Sequence, residues 1–207
     1  MATRSHDAWL VDLDGTLYSP LWVKLAMAGE LALFGWRALP TLRRFRQEHE
    51  ALRGEFESNG QLILEQASPY LAQLERTASA LGRSREQVER QVVDWMQNRP
   101  GKWLRRFARK SLLEELKAFR AEGGRTALVS DYPAELKLAA LGVRSLFEIV
   151  VANGEPNGPR RLKPHPEGLL RAAEQLGVPP ERCLVIGDRR DADGEAARAA
   201  HMSFRLV

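Results

Sequence analysis

Five short apolar runs, at 8–11, 126–129, 147–151, 183–186 and 203–207, constrain this chain more than any other feature. Their apolarity is nearly continuous rather than alternating, which marks strands covered on both faces, as in a parallel sheet. Helical patterns separate the later runs: 104–121 precedes the second, 133–141 follows it, 166–176 precedes the fourth and 194–200 precedes the fifth. This alternation predicts an α/β fold built on a doubly wound, mostly parallel sheet. The first and second runs stand about a hundred residues apart, far more than a βαβ crossover needs. The intervening stretch is helical in pattern nearly throughout. Ser84-Arg85-Glu86-Gln87 is a capping-box sequence expected to start a helix running to Met96. Asn59-Gly60, Ser68-Pro69, Gly82 and Pro100-Gly101 punctuate the rest. The expected organisation is a core formed by 1–19 and 103–207, with an all-helical domain inserted over 20–102.

Composition removes several function classes. A hydrophobic share of 44% with 28% charged residues is that of a globular chain and argues against disorder. The net charge of +4 suits an anionic ligand without identifying one. The basic pairs Arg43-Arg44 and Arg105-Arg106 read as solvated faces, and no nucleic-acid partner is expected. Cys183 is the single cysteine, so neither an intrachain disulfide nor Cys-based zinc binding is available. It precedes an apolar run and reads as core. The first residues lack the apolar region of a signal peptide, and 21–40 is interrupted by Lys24, Glu30 and Arg37, short of a transmembrane span. The expected location is the cytoplasm.

Ligands of open α/β sheets bind at the carboxyl ends of the strands, where strand order reverses. The first run ends in Asp12-Leu13-Asp14-Gly15-Thr16-Leu17. Residues two apart on an extended segment share a side, so Asp12 and Asp14 can face one site. Gly15 permits a sharp turn in which backbone amides approach an anion. The second run ends in Ser130, a later loop carries Lys163 in Leu162-Lys163-Pro164-His165-Pro166, and the fourth ends in Gly187-Asp188 with Asp191 and Asp193 close behind. Several carboxylates at one site imply a cation, and oxygen ligands without cysteine or paired histidine favour Mg²⁺ over zinc. A lysine and a hydroxyl on the same rim complete a cradle for phosphoryl oxygens. Asp131 reads as a turn or cap residue, and His165 as having a local structural role.

These four motifs, in this order and spacing, resemble the haloacid dehalogenase superfamily of hydrolases. Asp12-Leu13-Asp14-Gly15-Thr16 matches its first motif, Ser130 its second, Lys163 its third, and Gly187-Asp188 through Asp193 its fourth. The insertion after the first motif resembles the helical cap of one subclass in position and helical character. The resemblance implies a phosphatase acting on a small phosphorylated substrate. Asp12 would attack phosphorus to form an aspartyl-phosphate, and Asp14 would serve as acid and then base. Asp12, Asp188 and the backbone carbonyl of Asp14 would hold Mg²⁺. Ser130 and Lys163, with Gly15 and Thr16, would bind the phosphoryl group, and either Asp193 or Asp191 would support Lys163 or a metal-bound water. The family's dehalogenases lack an aspartate at the position of Asp14, which disfavours that activity. A phosphomutase is the enzymatic alternative, a non-catalytic binding module or a membrane-surface-associated phosphatase the others. Residues 21–36 are apolar nearly all round, Trp22 and Trp36 included; covering by the other inserted helices is the expected explanation.

Overall fold

The computed structural model describes residues 5–58 and 68–207. Five strands, β1 (Ala8–Val11), β2 (Arg125–Ser130), β3 (Ile149–Ala152), β4 (Cys183–Gly187) and β5 (Ser203–Leu206), form one sheet in the order β3-β2-β1-β4-β5. Every neighbouring pair is parallel. The order reverses at β1, which pairs with β2 on one side and β4 on the other, so a crevice opens beyond its carboxyl end. The fold class is the α/β one expected from the apolar runs, and strand bounds move by no more than two residues from them.

Alternate residues of the strands serve opposite faces. Val11, Leu128 and Ile186 pack with Leu112, Leu116 and Leu138 from α6 (Lys110–Ala121) and α7 (Glu135–Leu141). Leu10, Ala127 and Val185 pack with Leu169, Leu176 and Ala196 from α8 (Glu167–Leu176) and α9 (Glu195–Ala199). Cys183 is buried in this second cluster, as expected.

Between β1 and β2 lie α1 (Pro20–Phe34), α2 (Leu39–Ser58), α3 (Pro69–Leu81), α4 (Arg85–Val92) and α5 (Gly101–Arg106). Local sequence sets their ends. Ser68 accepts from the Leu71 amide at 3.3 Å, with Pro69 in the first turn and left-handed Gly82 closing α3. Ser84 and Gln87 form the reciprocal capping box, and the helix they start continues past Val92 as a π-helical turn over Val93–Asn98. The expected Asn59-Gly60 break lies outside the described residues. Phe45, Leu74 and Val88 are fully buried among these helices, each contributing about 1.5–3 kcal/mol by burial.

Two expectations need correction. The helix expected over 104–121 is broken at 107–109, because Ala108 leaves helical geometry to form an antiparallel bridge with Tyr18. The apolar segment is not covered by the other described helices. Leu21, Trp22, Leu25, Leu33, Phe34 and Trp36 are between 55% and 74% exposed. α1 packs inward mainly through Val23, Met27 and Leu31, and with so few polar residues, Lys24 alone among them exposed, most of what it turns outward is apolar.

Candidate active site

The Asp12 amide donates to the Ile186 carbonyl at 2.9 Å, so β1 delivers this carboxylate at the crevice while still laddered to β4. The chain then turns sharply, with the Thr16 and Leu17 amides both donating to the Leu13 carbonyl, at 3.3 and 3.1 Å. Gly15 holds this turn at φ +97°, and a Cβ there would lie 2.0 Å from Asp188 Oδ2. Gly187 allows the matching approach on the other side, since its Cβ would lie 2.4 Å from Asp193 Cγ.

Lys163 is buried at the centre. Its Nζ donates to Asp12 Oδ1 and Asp193 Oδ1, both at 2.6 Å, and to the Val129 carbonyl at 3.3 Å. An ammonium has three donors, and all three are used. Burial alone would pull its pKa down, but Asp12, Asp193 and Asp131 outweigh that and raise it. Burial pushes the Asp12 carboxyl up; Lys163 offsets this only in part, while Asp193 and Asp14 add to the rise. Asp188 is raised by burial and then by Asp193. Asp12, Asp188 and Asp193 each offer a carboxylate oxygen within 4.8 Å of the others. Three carboxylates around one ammonium lack positive charge, so an all-oxygen donor set of this kind fits a hard divalent cation such as Mg²⁺. The oxygens of Asp193 accept from Lys163 and from the Arg189 amide at 3.1 Å, and those of Asp12 accept from Lys163 and Thr16.

The remaining expected residues separate clearly. Asp193 touches Lys163, whereas Asp191 is exposed and paired with Arg189. Thr16 spends its hydroxyl on Asp12 Oδ2 at 2.9 Å and its amide on Leu13, so it orients Asp12. The Gly15 carbonyl accepts from Arg109 at 3.1 Å. Ser130 is buried at the end of β2, its Oγ accepting from the Tyr132 amide at 3.1 Å. His165 does stay local: it accepts from the Glu167 amide at 3.2 Å, at the start of α8.

Asp14 has partners that sequence reasoning missed. Lys137 of α7, itself buried, donates to both Asp14 oxygens, at 2.6 and 2.7 Å, and the Tyr18 hydroxyl donates to Oδ1. Burial pushes the Asp14 carboxyl up, but Lys137 and Tyr18 outweigh it, so the group sits below the ordinary carboxylate range. Asp131 does more than shape a turn. Its Oδ1 accepts the Lys163 amide at 3.1 Å, its Oδ2 takes Arg53 of α2 at 3.4 Å, and its carbonyl takes Asn153 at 3.2 Å. Leu162, beside Lys163, packs on Leu52 and Phe56 of α2. The inserted helices therefore help to hold the lysine loop.

His49 of α2 stacks on Tyr132 with ring centroids 4.4 Å apart and lies 3.4 Å from Gln73 Oε1. Burial pulls its pKa below the ordinary value of 6.5. The unfolded chain then binds a proton more readily than the folded one, so this stability is fully present above the unfolded pKa and is lost as pH falls through the folded value. The urea midpoint is expected to drop between about pH 7 and pH 5, and His49→Gln to flatten that drop. Parallel pH profiles for the two proteins would count against this assignment.

The family model of haloacid dehalogenase-like hydrolases matches residues 6–201. The chain belongs to this family. A phosphoglycolate phosphatase of Nitrosococcus oceani is 38% identical over 97 residues, covering 45% of this chain and 40% of that protein. The chain thus spans less than half the length of that curated relative. A phosphoglycolate phosphatase of Colwellia psychrerythraea is 27% identical over 210 aligned residues, covering 98% of this chain and 84% of that protein. Among solved structures, L-2-haloacid dehalogenase of Xanthobacter autotrophicus superposes with a TM-score of 0.66 over 98% of this chain and 77% of its own. At 17% identity that likeness speaks to the fold.

Proposed function

We propose that this family member is a Mg²⁺-dependent phosphatase that hydrolyses a phosphate monoester of a small molecule through an aspartyl-phosphate on Asp12. The observation that carries the reading is the buried Lys163 ammonium joining Asp12 to Asp193, with a second acid, Asp14, two residues along. Lys163 and Thr16 fix both Asp12 oxygens, which orients the carboxylate for in-line attack. In the first step an Asp12 oxygen bonds to phosphorus, the ester P–O bond breaks, and Asp14 protonates the departing oxygen. In the second, Asp14 takes a proton from water, which attacks phosphorus and releases Asp12 and inorganic phosphate. Lys137 and Tyr18 favour the ionised Asp14 that this second step requires; the first requires a protonated Asp14 drawn away from Lys137. Ser130 and Lys163 are assigned to the phosphoryl oxygens, Lys163 by exchanging its bond to the Val129 carbonyl, the longest of its three at 3.3 Å, for one to the substrate.

Asp12 and Asp188, with the backbone carbonyl of Asp14, are the donors assigned to Mg²⁺, which would neutralise charge on the phosphoryl group. Residues 20–102 act as the cap that selects the substrate, and a cytoplasmic location is part of the same proposal. The named phosphatase relatives make phosphoglycolate a first compound to assay beside other small phosphate esters. Asp14 argues against dehalogenation. Net phosphate release without a sugar bisphosphate requirement separates the phosphatase from a phosphomutase.

Chelation by EDTA is expected to silence phosphate release and Mg²⁺ to restore it, with Ca²⁺ a poor substitute because its larger, flexible shell displaces the oxygens around it. Asp188→Ala should raise the Mg²⁺ concentration needed by more than the roughly 10- to 100-fold typical of outer-shell losses. Full activity in chelator would overturn the metal assignment.

A further inference from the structure

We infer that the outward face of α1 docks the protein on a bilayer surface rich in anionic lipid. Six large apolar side chains, Leu21, Trp22, Leu25, Leu33, Phe34 and Trp36, stand exposed along this helix and the turn after it. Ala28, Gly29 and Ala32 lie exposed between them, so the surface is continuous and smooth. Such a face marks an interaction site rather than ordinary surface. At 15 residues α1 is too short to span a bilayer, and no described helix is long and apolar enough to do so. A helix of this kind lies in the interface plane.

The charges around the face select the occupant. Its one acid, Glu30, is turned aside and neutralised, accepting from Trp103 Nε1 at 2.6 Å and pairing with Lys102 at 2.7 Å and Arg99 at 3.9 Å. Lys24, Arg37 and Arg106 are exposed, and no ion pair holds them among the described residues. Arg37 lies 5.1 Å over the Trp36 ring, while Arg106 lies 6.0 Å over Phe107, whose ring is 6.1 Å from Trp22. Basic groups therefore sit at both ends of the apolar stripe, beside tryptophans suited to the headgroup level. A two-fold contact with a second copy about the middle of the helix would set the cations of one end, Lys24 and Arg106, against Arg37 at the other end of its partner. An anionic lipid surface meets apolar face and cationic rim together.

The test is flotation of the full chain with vesicles of phosphatidylglycerol and phosphatidylcholine, against phosphatidylcholine alone. Binding to the anionic vesicles is expected to exceed binding to the neutral ones by at least about tenfold and to weaken at about 0.5 M salt. Leu25→Glu with Leu33→Glu should abolish association while leaving the circular dichroism spectrum and urea midpoint unchanged. Lys24→Glu with Arg37→Glu should weaken it by at least about tenfold, given roughly fivefold per basic residue near such a surface. Failure to float with anionic vesicles, equal binding to neutral ones, or retention by the folded Leu25/Leu33 variant would each overturn the inference. So would sedimentation showing a dimer that the leucine variant dissolves, without any lipid association. None of these readouts depends on phosphatase activity, so the two proposals stand or fall separately.

Discussion

Asp12→Asn is expected to eliminate steady-state phosphate release, lowering kcat by about 10⁴-fold or more, the scale seen when a nucleophile is removed. The amide has almost the size of the carboxylate, so the site keeps its shape while losing its chemistry. An amide nitrogen is not nucleophilic towards phosphorus, and its oxygen carries no charge to offer. A second effect arises from the hydrogen bonds. Lys163 Nζ and the Thr16 hydroxyl both donate to Asp12, one to each oxygen. An asparagine can keep its amide oxygen towards Lys163 and donate its NH₂ to the Thr16 hydroxyl, which then accepts, but the buried ammonium loses the charge of one of its two carboxylate partners. Some loss of stability is therefore expected beside the loss of turnover, and a circular dichroism spectrum must accompany the assay. Acid quenching of wild-type enzyme during turnover of labelled substrate should trap phosphate on protein, and the variant should trap none. A folded Asp12→Asn protein that still releases phosphate at a substantial rate in Mg²⁺ would end the covalent mechanism.

The sheet was legible because burial on both faces leaves near-continuous apolar runs, a local signal that tertiary context does not override. The order of Asp12, Ser130, Lys163 and Asp188 was legible too, since a parallel sheet brings the residues after each strand to one edge. The failures lie wherever tertiary contact decides. The break at 107–109 carries no glycine or proline; it exists because Ala108 pairs with Tyr18, some ninety residues earlier in the chain. Lys137 comes after Glu135 and Leu136 in a helix whose pattern suggests a solvated lysine. The turn of Asp14 toward α7 makes it a buried partner. Asp191 and Asp193 could not be told apart by spacing, because the five-residue π-helical turn over Arg190–Gly194 decides which of them points inward. The exposure of α1 is a different failure: apolarity all round predicts burial, and that expectation holds only if something in the chain covers the helix.

Lys163→Met tests whether the ammonium is structural as well as functional. Methionine matches the length of the lysine stem without its charge, so packing is nearly preserved. The loss leaves Asp12 and Asp193, each only 2.6 Å from Nζ in the wild type, as neighbouring buried acids with no cation between them. Removing one partner of a buried ion pair costs about 3–5 kcal/mol, because the remaining charges stay desolvated. Asp12, whose carboxyl burial already pushes up, can escape part of this by binding a proton, which makes the variant most fragile at alkaline pH. Turnover should fall by about 10²- to 10³-fold, the range for loss of one group stabilising developing charge. The distinguishing result concerns Mg²⁺. On the proposed metal assignment, a divalent ion held by Asp12 and Asp188 would supply positive charge beside the orphaned acids, so saturating Mg²⁺ should raise the urea midpoint of Lys163→Met more than that of the wild type. If the variant unfolds at the wild-type midpoint in EDTA, the ammonium is not what holds these carboxylates together. If Mg²⁺ stabilises both proteins equally, the ion does not share their charge.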